Sequence, residues 1–148
     1  MAILHVDDEA VIRDVVRRAL EAYGFTVVSA DGVRAAKAAL VERNDLVGVL
    51  LDIRLRDGSG VDLYEWIAAH HPRLAARVAV VTGSTDPALL RRLEARRCCV
   101  IEKPFELAEL ARFAAEWEDV VEAQDGHPAP RPHGDRFRDA PPSPSPGS

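Results

Sequence analysis

Three short runs of this chain are almost continuously apolar and rich in β-branched residues: AILHV (2–6), VGVLL (47–51) and RVAVVT (77–82). A strand with one face in water alternates apolar and polar residues, whereas a strand covered on both faces reads as an unbroken apolar run. Two weaker runs, FTVVSA (25–30) and CCVIE (98–102), predict strands nearer the edges of the same sheet. Helical periods separate the runs. Val11, Ile12, Val15, Val16, Ala19, Leu20 and Tyr23 recur at helical spacing, and Gly24 follows as a stop. Residues 33–43 are Ala-rich and helical, and Val61, Leu63, Trp66 and Ile67 mark a third helix that Pro72 should end. Pro87 suits the first turn of a fourth helix begun after Asp86. Leu107, Leu110, Ala111, Ala114 and Trp117 mark a fifth. Five strand–helix units without internal repeats predict a doubly wound α/β domain, a parallel sheet with helices on both faces.

Seven of the ten prolines lie between Pro128 and Pro146. That stretch lacks the aliphatic residues that would offset its ordering entropy, so residues 1–122 are expected to fold and residues 123–148 to form a disordered, Pro-rich tail. Pro141 to Pro144 matches P-x-x-P, a pattern more often met in solvated linkers than in docked peptides. A formal charge of −5 argues against a general nucleic-acid binder. No secretory leader is read at the start, and no apolar run approaches a membrane span. Cys98 and Cys99 are adjacent, without metal or redox spacing, and are expected to be reduced and structural in a cytoplasmic protein.

In sheets of this class, ligands bind outside the carboxyl ends of the strands. The first strand ends at Asp7 and Asp8, the third at Asp52, the fourth at Thr82 and the fifth at Lys103. Taken singly, each has a plain reading. Asp8-Glu9 can cap a helix, Asp52 can turn a chain, Thr82-Gly83-Ser84 can be a loop, and Lys-Pro is a common pair. Four strand ends converging on one edge make the set informative. Three neighbouring carboxylates repel one another unless a cation joins them, and hard oxygen ligands in a partly hydrated site suit Mg²⁺. The Lys103 ammonium and Thr82 hydroxyl beside them would receive a phosphoryl group, and Asp52, central among the strands, is the candidate nucleophile.

On the residues VDDE (6–9), LLDIRLRDGSG (50–60), VVTG (80–83) and EKPF (102–105), in that order, the chain resembles the response regulator receiver domains, the CheY-like family. The resemblance covers residues 1 to about 120. It implies a (βα)₅ fold with strand order 2-1-3-4-5. It implies phosphorylation of Asp52 by a sensor histidine kinase or histidine phosphotransfer protein. Asp8 and Asp52 would hold Mg²⁺, Asp7 mainly through water, with the Arg54 carbonyl completing the protein ligands. Thr82, Gly83 and Lys103 would meet the phosphoryl group, and Lys103–Pro104 would be cis. The implied protein is an acceptor rather than an enzyme acting on outside substrates. Its output is an unidentified protein target, with room for a phosphorylation-dependent homodimer, and without membrane or nucleic-acid partners.

The chain departs from that pattern in four places. Arg56 stands where the family usually has proline, which predicts a looser loop after Asp52. Gly83 replaces an alanine, and Arg96-Arg97 replaces a common Gly-Ala. Val100 occupies the position of an aromatic switch residue, so signalling is expected to run through Thr82 and residues 83–85 into the fourth helix instead.

Rival readings are weaker. A phosphatase with an aspartate nucleophile would place a second acid where Arg54 stands. A purely structural pseudo-receiver would not need Asp7, Asp8, Asp52, Thr82 and Lys103 together. A nucleotide or flavin binder lacks G-x-G-x-x-G after the first strand. The start at Met1 and the tail favour a free-standing signalling or relay module without an effector domain. His5 is expected to be a satisfied core histidine, and Trp66 and Trp117 to be packing residues.

Overall fold

The computed structural model describes residues 1–83 and 86–124. The expectations for the Pro-rich tail beyond Gln124, for its P-x-x-P motif and for Ser84-Thr85 fall outside these residues. The elements in chain order are β1 (Ala2–Val6), α1 (Ala10–Ala22), β2 (Thr26–Ala30), α2 (Val33–Glu42), β3 (Leu46–Asp52), β4 (Arg54–Leu55) and β5 (Gly58–Ser59). There follow α3 (Gly60–His70), α4 (Pro72–Ala75), β6 (Val78–Thr82), α5 (Pro87–Ala95), β7 (Cys99–Glu102) and α6 (Leu107–Gln124). The last helix thus runs two residues beyond the boundary expected at 122.

Five parallel strands form one sheet in the order β2-β1-β3-β6-β7. With the small β4–β5 hairpin set aside, this is the doubly wound order 2-1-3-4-5. The continuous apolar runs supply the three central strands for the reason their pattern implied: successive side chains enter opposite layers. Leu4, Val49, Leu51 and Val80 face Ala36, Leu40, Leu63, Ile67 and Leu93 in one core. Ile3, Leu50, Ala79 and Val81 face Val16, Leu20, Leu110, Ala114 and Trp117 in the other. The weaker runs became the edge strands, and each buries only one residue fully, Ala30 in β2 and Ile101 in β7.

Helix ends follow local chemistry. After α1, Gly24 takes φ +94°, Phe25 N–H donates to the Leu20 carbonyl at 3.0 Å and Gly24 N–H to Glu21 at 2.9 Å. This is a Schellman stop at the glycine that the sequence suggested. The end of α5 repeats it, with Cys98 N–H on Leu93 at 3.0 Å and Arg97 N–H on Glu94 at 2.9 Å. There the left-handed position, φ 55°, falls on Arg97 rather than a glycine. Pro72 does not simply end α3; it sits in the first turn of the short α4. The fourth expected helix, α5, begins after Asp86 as read, and the Asp86 carboxylate caps it through Ala88 N–H at 3.0 Å. That helix is lightly anchored. It buries one side chain, Leu93, while Arg92 and Arg96 pair with Asp62 and Glu65 of α3 on the surface.

Trp117 packs as expected, its indole lying against Gly48 where any side chain on β3 would collide with the ring. Trp66 is only half-buried. It stacks on His70 with ring centroids 4.6 Å apart and carries Lys37 Nζ 5.2 Å above its face.

Candidate functional site

The parallel sheet delivers β1, β3, β6 and the segment after β7 to one edge, and with them the acids and the lysine. Ligand oxygens of Asp7, Asp8 and Asp52 all lie within 4.8 Å of one another. Asp7 is 2% exposed and Thr82 3% exposed, so two members of the set belong to the interior. Lys103 Nζ lies 3.3 Å from Asp52 Oδ2, and Lys103 N–H donates to the Thr82 carbonyl at 2.8 Å, tying the lysine to the end of β6. The Lys103–Pro104 bond is cis. Gly83 adjoins this contact, and a methyl group there would sit 3.8 Å from Lys103 Cβ, an ordinary separation. A side chain would therefore fit at this position.

The capping explanation for Asp8-Glu9 does not hold. Glu9 is the N-cap of α1, but its side chain makes no capping bond. The Asp7 carboxylate accepts Glu9 N–H at 2.9 Å through Oδ1, and Asp8 remains with the acidic cluster. Asp52 Oδ1 receives Arg54 N–H at 3.4 Å.

Burial pushes the carboxyls of Asp7 and Asp52 above the ordinary aspartate value. Lys103 pulls Asp52 back down, and Asp7 adds to its rise. Two desolvated, mutually repelling carboxylates beside a third form a hard-oxygen donor set that a small divalent cation would satisfy. The residues fit a metal.

His5 is buried at 4% exposure, as expected of a core histidine, but it is not satisfied: Nδ1 has no hydrogen-bond partner among the described residues. Burial, then Arg13 and Lys103, hold its pKa down at about 4, so the ring is neutral at pH 7. The cysteines are free and lie away from the site. Burial raises both thiols, Cys98 to about 11, which leaves them protonated. Val100 on β7 is half-buried beside Val80, with no ring to swing.

Sequence reasoning missed two residues. Arg13, from the first turn of α1, donates through Nη1 to the Asp7 carbonyl at 2.7 Å and so holds the end of β1. Nothing in the local pattern marks it. The second is Asp57. The loop after Asp52, expected to be looser for want of a proline at Arg56, carries a ribbon and contacts of its own. Arg54 pairs with Ser59 and Leu55 with Gly58 as a small antiparallel ribbon. Its turn residue Asp57 accepts Val33 N–H at 2.7 Å and Arg34 N–H at 3.1 Å from the start of α2. The ribbon closes against α3, where Gly60 N–H donates to the Ile53 carbonyl at 2.6 Å and Ser59 Oγ accepts Val61 N–H at 3.1 Å.

Comparison with known proteins agrees with this architecture. Residues 3–115 match the model of the response regulator receiver domain. The response regulator protein PilR of Pseudomonas aeruginosa is 34% identical over 112 residues, 76% of this chain and 25% of that protein. The KDP operon transcriptional regulatory protein KdpE of Escherichia coli is 34% identical over 113 residues, 73% of this chain and 47% of that protein. The chain therefore spans between a quarter and about half of these relatives. Among solved structures, a CheY-like receiver domain protein of Methanospirillum hungatei superposes with a TM-score of 0.74 at 27% identity, covering 83% of this chain and 97% of that one. A receiver protein of Pseudomonas putida gives 0.71 at 29% identity, covering 78% and 95%. With the acidic triad, the lysine and the threonine gathered at the carboxyl edge of a doubly wound sheet, the chain belongs to the response regulator receiver domain family of two-component signalling.

Proposed function

We propose that Asp52 accepts a phosphoryl group from a phosphohistidine donor, a sensor histidine kinase or a histidine phosphotransfer protein, and that the resulting aspartyl phosphate is the signalling state. The observation carrying this is the meeting of Asp7, Asp8 and Asp52 within 4.8 Å, with Lys103 Nζ 3.3 Å from Asp52 Oδ2.

Asp7, Asp8, Asp52 and the Arg54 carbonyl would hold Mg²⁺, which when bound neutralises the carboxylates and the phosphoryl oxygens. A carboxylate oxygen of Asp52 attacks phosphorus in line with the departing imidazole nitrogen. The oxygen–phosphorus bond forms as the phosphorus–nitrogen bond breaks, and the histidine, already protonated on its other ring nitrogen, leaves as neutral imidazole. Lys103 exchanges its contact with Asp52 for one with a phosphoryl oxygen, and the Thr82 hydroxyl donates to another. Asp7 and Arg13 keep the end of β1 in place while this happens.

Turnover of outside phosphate esters is not part of the proposal, because Arg54 stands where a general acid–base would be needed. Output runs through a protein target, by way of Thr82 and α5 rather than through Val100. No helix among the described residues is long and apolar enough to cross a membrane. We place the protein in the cytoplasm, with its phosphodonor.

The test is incubation with acetyl phosphate and Mg²⁺ followed by intact mass. The expected result is a single adduct with the mass of HPO₃, absent in EDTA and in Asp52→Asn. Full labelling in either control would refute the assignment.

A further inference from the structure

We infer that Asp57 is a positioning residue for the acceptor site, holding the segment after Asp52 in register by clamping the first turn of α2. This rests on the reading of Asp52 as acceptor and names a residue that supports it from outside.

The β4–β5 ribbon cannot hold its own shape. It has two paired positions, fewer than any independently stable hairpin. Two-residue hairpin loops match the twist of their strands when the turn residues take positive φ. Neither Arg56 nor Asp57 does so, since Arg97 is the one non-glycine residue at positive φ among the described residues. Position 56 is an arginine, without the fixed φ that a proline would bring. The ribbon nevertheless carries the Arg54 carbonyl and the Arg54 N–H that touches Asp52, so its placement sets the donor geometry at the site.

The clamp serves both partners. The first N–H groups of any helix lack partners within the helix. Gly32, the N-cap of α2, has no side chain to offer them. Asp57 takes two of them, Val33 at 2.7 Å and Arg34 at 3.1 Å, across 24 and 23 residues of sequence. Gly32 is also the residue that lets the carboxylate in. The three atoms nearest to a methyl group built there are all from the Asp57 carboxyl, and the closest of them would overlap it. Gly32 has φ 179°, extended backbone that any residue adopts, so contact with Asp57 is the main cost of a side chain at this position.

The experiment measures acetyl phosphate labelling of Asp52 against Mg²⁺ concentration, together with urea unfolding, in the 148-residue chain. The variants are Asp57→Ala, Asp57→Asn, Gly32→Ala and Asp57→Ala/Gly32→Ala. Removing an outer partner of a metal site typically costs about 10–100-fold in affinity or activity. Asp57→Ala and Gly32→Ala should each slow labelling by about tenfold or more and raise the Mg²⁺ concentration for half-maximal rate. Asp57→Asn keeps one acceptor oxygen and should fall between them and wild type. The double variant should be no worse than Asp57→Ala, because Gly32→Ala acts by evicting that carboxylate. Wild-type labelling and Mg²⁺ dependence in Asp57→Ala would overturn the inference. So would slower labelling with unchanged Mg²⁺ dependence, which would make the clamp a matter of stability alone. Additive losses in the double variant would overturn it as well. A wild-type chain that takes no label would overturn the acceptor reading itself, and this inference with it.

Discussion

Asp7→Asn should make the metal-free protein more stable and blunt its response to Mg²⁺. The substitution is nearly isosteric and keeps an oxygen for Glu9 N–H, now 2.9 Å from Oδ1. What disappears is a charge that is 2% exposed and lies within 4.8 Å of two others. At that separation each like-charge pair costs about 0.9 kcal/mol at the dielectric of water and about 3.5 kcal/mol at an effective value of 20. Asp7 also loses its attraction to Lys103, which offsets part of the relief. The net gain is about 1–3 kcal/mol. For a folded unit of this size, about 4 °C of melting temperature corresponds to each kcal/mol, so the variant in EDTA should melt about 4–12 °C higher. With Mg²⁺ at ten times its dissociation constant the wild type gains RT ln 11, about 1.4 kcal/mol, or about 5–6 °C. The variant, short of one carboxylate, should gain far less, so the two melting temperatures converge. Thermal melts followed by circular dichroism in EDTA and across a Mg²⁺ series test this. A variant less stable than wild type in EDTA, or one with an equal Mg²⁺ shift, would refute the view that repulsion among these acids is what the cation relieves.

Other expectations follow from particular contacts. Lys103→Ala should abolish the conformational response to phosphorylation while leaving Mg²⁺ affinity equal or higher, since Nζ competes with the cation for Asp52. Weaker Mg²⁺ binding in a fluorescence titration would contradict this. Gly48→Ala should cost about 1–3 kcal/mol in urea unfolding by forcing a methyl group into the Trp117 ring, with partial recovery in combination with Trp117→Leu. An equal loss in the Trp117→Leu background would disprove the contact. Arg97→Gly should raise stability by about 1 kcal/mol, because φ 55° costs an L-residue about that much; an unchanged urea midpoint would count against it. On phosphorylation or with a beryllofluoride mimic, hydrogen exchange should change in residues 86–92 and little in β7. A change centred on Val100 would reverse the proposed route.

Much of this protein is legible in its sequence. Unbroken apolar runs mean burial on both faces, and helical periods between them mean crossover connections, which leaves few topologies. Strand ends then name the residues of the functional edge, because a parallel sheet points all its carboxyl ends the same way. Asp7, Asp8, Asp52, Thr82 and Lys103 stand at such strand ends in the sequence, and the fold sets the distances between them. Spacing along the chain could not say whether Asp8 would cap a helix or join the acids. In the fold the Asp7 carboxylate accepts Glu9 N–H, and Asp8 lies with the acids. Nor could local pattern show that His5 is buried with an unpaired nitrogen, since the same strand alternation suits a satisfied ring. The loop after Asp52 is the plainest case. Read locally, Arg56 in place of proline means slackness. In the fold, Asp57 crosses to the bare N-terminus of α2, and Gly32 leaves room for it. Local sequence specifies torsional preference and burial pattern, whereas a bond between segments more than twenty residues apart exists only once the sheet has brought them together.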